Sequence, residues 1–153
     1  LKTINVFLVL FLGLLFISGC TGEQKSTDIY MYPDNIPLPY IKVPEDIVDI
    51  HGELENKERF DEFFLNVEQG IEDSIRVVRY TTEGAPILYD YDFDKEAIKV
   101  KIDSTRDGFG QKEIIHTTCS AIKVDETSSR TSYNLKRCIP KIEDNTILII
   151  EHK

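Results

Sequence analysis

Three cysteines, three histidines and a run of alternating aspartates are the residues of this chain whose types and spacing could do chemistry. Asp90-Tyr91-Asp92-Phe93-Asp94 opens like a calcium loop. Lys95 stands at the sixth position, however, where such a loop turns on glycine, and Lys101 at the twelfth, where it needs a bidentate glutamate. Calcium is therefore not expected, and these aspartates read as the solvated face of a strand. Ser120-Ala121-Ile122-Lys123 has the S-x-x-K spacing of serine enzymes that react with penicillins, yet it lies in a predicted strand and neither S-D-N nor K-T-G occurs. Gly108-Phe109-Gly110 is half of a dinucleotide loop without the third glycine or the following helix. His116 and Cys119 make one short ligand spacing while His51 and His152 lie far off in sequence, so no metal site is expected. No catalytic residue and no cofactor follow from these motifs.

Two loops carry groups suited to binding. Arg79-Tyr80-Thr81-Thr82-Glu83-Gly84 runs hydrogen-bonding side chains into a turn, and Thr105-Arg106-Asp107-Gly108-Phe109-Gly110 sets a bulky ring between glycines. The candidate binding residues are therefore Arg79, Thr81, Thr82, Glu83, Arg106, Asp107 and Phe109. Phe109 is either a binding finger on a glycine hinge or a lid folded back on the core. A loop-built catalytic site would draw on Arg79, Glu83, Arg106 or His116.

The elements that must position these loops are legible in the pattern. Phe60, Phe63, Phe64 and Val67 fall at the i, i+3, i+4, i+7 spacing of one helix face. Asn56 is placed to accept hydrogen bonds from first-turn amides, Glu58 suits the positive end, and Gly70 terminates, so the spacing predicts a helix over 57–69 lying on a sheet. Residues 74–81 are β-branched and aromatic and end at the turn signal Glu83-Gly84-Ala85-Pro86. A two-residue loop at Lys95-Glu96 pairs Phe93 with Ile98, Tyr91 with Val100 and Tyr89 with Ile102. The same register sets Asp92 against Lys99 and Asp90 against Lys101 on the other face. Further strands are expected over about 113–124, 131–138 and 146–150. One principal helix on a mostly antiparallel sheet of about five to six strands is an α+β fold.

The chain has 153 residues, 27 acidic against 18 basic, with a formal net charge of -9. That suits one modest domain and argues against nucleic acid as a partner, which needs a positive face. Residues 6–17 are an apolar run of signal-peptide length rather than membrane-spanning length. The run ends in Ile17-Ser18-Gly19-Cys20, which resembles the lipobox of bacterial lipoprotein precursors. That resemblance implies a signal peptide over 1–19, a diacylglyceryl group on Cys20, and attachment to the outer face of the bacterial cell membrane. Loss of 1–19 discards Lys2 and no acid, so the anchor rests on lipid without help from positive charge. Residues 20–45, with Pro33, Pro37, Pro39 and Pro44, read as an extended tether. Its apolar residues over 30–40 either lie along the domain or form a partner-binding strip. The domain itself is 46–153. With Cys20 acylated, Cys119 and Cys138 are left as a pair in an exported protein. A hairpin turning at Ser128-Ser129 sets Val124 against Tyr133, Ile122 against Leu135 and Cys119 against Cys138, the cysteines on the face opposite those apolar pairs. A disulfide is the expectation, with free thiols or a metal site as the alternatives.

The segments around Val48-Asp49-Ile50-His51-Gly52-Glu53, Arg59-Phe60-Asp61-Glu62-Phe63, the two loops and the cysteine pair resemble a family of small Bacillus-type lipoproteins built on a domain of unknown function, over about 46–138. The resemblance implies a Gram-positive cell envelope and a single domain, and assigns no activity. The expected role is a non-enzymatic binding module with an unknown envelope partner or ligand. An envelope enzyme or enzyme accessory, and an inhibitor or immunity lipoprotein, are the alternatives.

Overall fold

The computed structural model describes residues 40–152. The expected signal peptide, Cys20, and the tether up to residue 39 lie outside the described residues. Among the described residues the chain forms β1 (Ile47–Ile50), β2 (Glu53–Glu55), α1 (Lys57–Gln69), β3 (Asp73–Tyr80), β4 (Pro86–Phe93), β5 (Ile98–Asp103), β6 (Ile114–Cys119), β7 (Ala121–Glu126), β8 (Arg130–Lys136) and β9 (Thr146–Glu151). This is an α+β fold. Strands β1 to β6 make one sheet in the order β2-β1-β3-β4-β5-β6, and β7-β8-β9 make a second. Every pairing is antiparallel except β1 with β3, whose connection runs through β2 and α1. None of the described helices is long and apolar enough to cross a membrane.

The helix occupies the expected residues, and its phenylalanines do what the spacing demands. Phe60 and Phe63 are completely buried, with Phe64 and Val67 packed beside them. Burial of each phenylalanine contributes about 2–3 kcal/mol. Gly70 takes φ 69°, and the amides of Gly70 and Ile71 donate back to the carbonyls of Val67 and Asn66, the two hydrogen bonds of a Schellman ending. The start of the helix differs from expectation. Asn56 sits at φ 57° and its side chain caps nothing in the helix; it donates instead to the carbonyl oxygens of Pro44 and Asp46. A left-handed backbone turns the side chain back toward the strand entrance, and only the Asn56 carbonyl serves the helix, accepting from Arg59 N–H.

The β4–β5 register is the expected one at every pair, with Lys95 at φ 75° in the turn. Alternation along the strands gives the large sheet two unlike faces. One face carries Ile47, Ile75, Val77, Tyr91, Phe93, Ile98 and Val100, and both α1 and the small sheet cover it. The rings of Phe60 and Phe64 stand near-perpendicular to that of Tyr133 of β8 at centroid distances of 4.7 and 5.1 Å, so the helix links the two sheets. The other face is not the fully solvated surface expected from its aspartates and lysines. Val48, Val78 and Leu88 form a second buried cluster with Tyr40 and Tyr80 against it. Beside that cluster Asp90 takes a two-point ion pair from Arg76, at 2.5 and 3.0 Å, and Arg76 is only 3% exposed.

The single strand expected over 113–124 is two strands in two sheets. Cys119 pairs with Ile98 of the large sheet while Ala121 pairs with Lys136 of the small one, and Ser120 is the crossing point. The predicted pairs Val124–Tyr133 and Ile122–Leu135 hold. Cys119 and Cys138 have their sulfurs 2.08 Å apart, placed for a disulfide. They are not on a separate face: Cys119 is 1% exposed within the same core as Leu135 and Tyr133, because the break at Ser120 turns it inward.

Candidate binding cleft

The β3–β4 and β5–β6 loops leave the same end of the large sheet, so the two candidate segments are neighbours by topology. Between that end and residues 141–144 lies a cleft of about 510 Å³. Its floor is Ile87 and Tyr89 of β4, Ile102 of β5 and Ile115 of β6, with Ile142 closing one side. Tyr89, Ile102 and Ile115 form one row across three strands because each is the direct partner of the next. The rim is polar: Asp107 and Glu113 from the β5–β6 loop, and Lys141, Glu143 and Asp144 from the opposite wall.

Local hydrogen bonds hold both walls. Ser104 is the post of the β5–β6 loop: its amide donates to the Glu113 carbonyl at 3.0 Å, and its hydroxyl reaches the carbonyls of Gln111 and Glu113 at 2.5 and 3.1 Å. Asp107 accepts from Phe109 N–H at 3.0 Å, and its carboxylate lies where a Cβ on Gly110 would stand, so a larger residue there would turn that carboxylate aside. The far wall is held by Arg79. Its guanidinium donates to Asp144 at 2.9 Å, to the Ile147 carbonyl at 2.7 Å and to the Thr146 carbonyl, and lies 4.6 Å over the Tyr89 ring. Burial pushes the Tyr89 hydroxyl above its ordinary pKa, with Arg79 opposing, so the ring stays neutral at the cleft floor.

The structure separates the sequence candidates. Asp107 lines the cleft, and Arg79 stands behind its wall with every contact structural. Thr81, Thr82 and Glu83 form the β3–β4 turn: the Ala85 amide donates to Thr81 Oγ1, the Thr82 hydroxyl to Glu83, and none of the three lines the cleft. Arg106 turns to the opposite face of the sheet and binds Asp103 at 2.8 Å, both side chains nearly buried. Burial opposes ionisation of Asp103, yet hydrogen bonds from Thr105 and Arg106 hold its carboxyl below the usual range. Phe109 is 84% exposed at the loop tip, which removes the reading as a lid on the core. His116 is on the opposite face too, where it lines a separate cavity of about 340 Å³ with Asp90, Lys101 and the Ile139-Pro140 corner. Arg79, Glu83, Arg106 and His116 therefore do not converge.

Sequence reasoning missed Tyr89, Glu113, Lys141, Glu143 and Asp144 as cleft residues. The available signal was the polar interruption Glu143-Asp144-Asn145 before the last apolar strand, which reads as a turn; nothing local says which sheet end it faces. Among the described residues no group of three or more histidine, cysteine, aspartate or glutamate side chains is placed to hold a metal ion.

Fold and cleft together define a small α+β domain with a ligand-sized cleft at the loop end of its main sheet. A family described as Domain of unknown function (DUF4362) matches residues 44–134, more than half of the chain, and the chain belongs to that family. The matched segment includes Cys119 and the β5–β6 loop and ends before Cys138 and the 141–144 wall. No curated protein and no solved structure matches the chain.

Proposed function

We propose that this chain is a lipid-anchored binding module of the small Bacillus-type lipoprotein kind. Cys20 carries the lipid on the outer face of the cell membrane, residues 20–45 are the spacer, and domain 46–153 offers its cleft to an envelope partner or ligand. The observation that carries the reading is the cleft: an apolar floor with a polar rim on a fixed frame, the usual form of a ligand site. The disposition of Arg79 supports binding over catalysis, since its guanidinium is committed to Asp144 and two strand carbonyls. A second reading, an envelope enzyme or enzyme accessory, draws on the cavity beside Asp90, Lys101 and His116.

Two experiments test the proposal. Labelled palmitate fed to cells is expected to mark the wild-type chain and to be lost from Cys20→Ala; a label that survives the substitution overturns the anchor. Crosslinking followed by affinity capture from intact cells is expected to yield a partner whose recovery falls when cleft residues are changed. Recovery that depends instead on His116→Ala or Asp90→Asn moves the functional site to the opposite face.

A further inference from the structure

The cleft rim has an excess of one sign. Asp107, Glu113 and Glu143 have no cationic partner among the described residues, Asp144 is already engaged by Arg79, and Lys141 is the one basic side chain on the rim. These carboxylates stand over isoleucines and a neutral tyrosine, a low-dielectric surface that strengthens their field toward anything seated on it. A ligand that fits must bring positive charge to the rim and apolar surface to the floor together.

We infer that the cleft receives a basic, amphipathic peptide segment, with an aliphatic side chain on the Tyr89–Ile102–Ile115 row and lysine or arginine side chains against Asp107, Glu113 and Glu143. This rests on the binding-module reading and names its ligand class. The volume of about 510 Å³ holds a few side chains and not a folded partner, which favours an extended segment or terminus. The rim acids lie on two walls, so a bound segment with alternating basic and apolar positions satisfies both walls and the floor at once. Arg79 gives the acidic far wall its rigidity, because Asp144 is tethered to the sheet and cannot swing out to meet a ligand elsewhere.

The test is fluorescence anisotropy of the full chain in detergent with a short labelled peptide of alternating lysine and leucine. Two control peptides accompany it, one with glutamate for lysine and one with serine for leucine. Saturable binding of the lysine–leucine peptide alone, weakening with added salt, is expected. The triple variant Asp107→Asn, Glu113→Gln, Glu143→Gln is expected to bind about tenfold more weakly, while Glu53→Gln with Glu58→Gln, remote from the cleft, leaves binding unchanged. Lys141→Glu, which adds charge without removing a contact, is expected to tighten binding severalfold and keeps the test decisive if the triple variant folds poorly. Equal binding by wild type, triple variant and Lys141→Glu overturns the inference, as does equal binding of all three peptides. If the peptide fails to bind while capture from cells still yields a partner dependent on cleft residues, the ligand class is wrong and the binding-module reading stands.

Discussion

Arg79 and Asp144 are 65 residues apart in the chain and meet at 2.9 Å, joining the middle of the six-stranded sheet to the entrance of the last strand. The same guanidinium holds the carbonyls of Thr146 and Ile147, so one side chain fastens the small sheet to the large one and shapes one wall of the cleft. Arg79→Ala leaves two carbonyls without their donor in a largely buried place and is expected to lower unfolding free energy by about 3 kcal/mol. Arg79→Lys keeps the charge and loses the planar fork, and is expected to recover less than half of that. Asp144→Ala removes a half-exposed ion-pair partner and an acceptor for the Thr146 amide, and is expected to cost about 1 kcal/mol. Urea unfolding of the three variants checks the order; a lysine variant as stable as wild type would show that charge alone matters.

Removal of the cysteine pair is expected to destabilise through the unfolded chain. Cys119 and Cys138 are 19 residues apart, and a crosslink closing a loop of that size contributes about 3 kcal/mol. Cys119→Ser with Cys138→Ser is expected to show that loss in urea. Non-reducing mass spectrometry checks the state of the pair directly, and two free thiols in the isolated protein would remove the crosslink from the account.

Asp94 gives stability an acid limit. Its carboxylate is held by Lys99 at 2.8 Å and by the amides of Ala97 and Glu96, which pull its pKa down to about 2. The native state therefore releases this proton more readily than the unfolded chain. The contribution is complete above the ordinary carboxylate value of about 4 and is lost as pH falls from there through about 2. Wild type is expected to lose stability relative to Asp94→Asn across that window. Urea midpoints that fall in parallel would show that the β4–β5 turn does not report the charge.

Asp46 gives the opposite slope. It is fully buried at the mouth of β1, where its Oδ2 accepts from the Tyr40 hydroxyl and the Val43 amide and its Oδ1 is buried without a hydrogen-bond partner among the described residues. Burial raises its pKa, against the pull of those hydrogen bonds and of Arg76. The native state holds this proton to higher pH than the unfolded chain does. The contribution is therefore full below about 4 and declines as pH rises through the raised value. Asp46→Asn is expected to flatten that decline above about pH 4, measured by urea midpoints, and an unchanged slope would place the titration elsewhere.

Local physics made several elements legible before any coordinates. The helix was readable because a phenylalanine stripe, a first-turn acid and a terminal glycine all agree on one stretch. The β4–β5 hairpin was readable because two independent faces, aromatic against aliphatic and aspartate against lysine, demand one register. Where a residue had two available partners, the pattern could not choose. Asp90 faces Lys101 across β5 as expected, yet it is Arg76 of β3 that takes both its oxygens. No glycine, proline or turn signal interrupts residues 113–124, so nothing local showed that the chain changes sheets at Ser120.

The amino-acid sequence by itself determined the α+β class, the helix, the local registers, and the placing of Cys119 beside Cys138 through its hairpin arithmetic. These follow from contacts between residues near one another in the chain, whose spacing is written directly in the order of side chains. Only the tertiary structure decided that Arg79 is a clamp and Arg106 a buried partner of Asp103, that Phe109 stands free, and that 141–144 walls a cleft whose floor comes from three other strands. Those outcomes depend on how two sheets and a helix share one core, a geometry set by burial over the whole domain rather than by the spacing within any one segment.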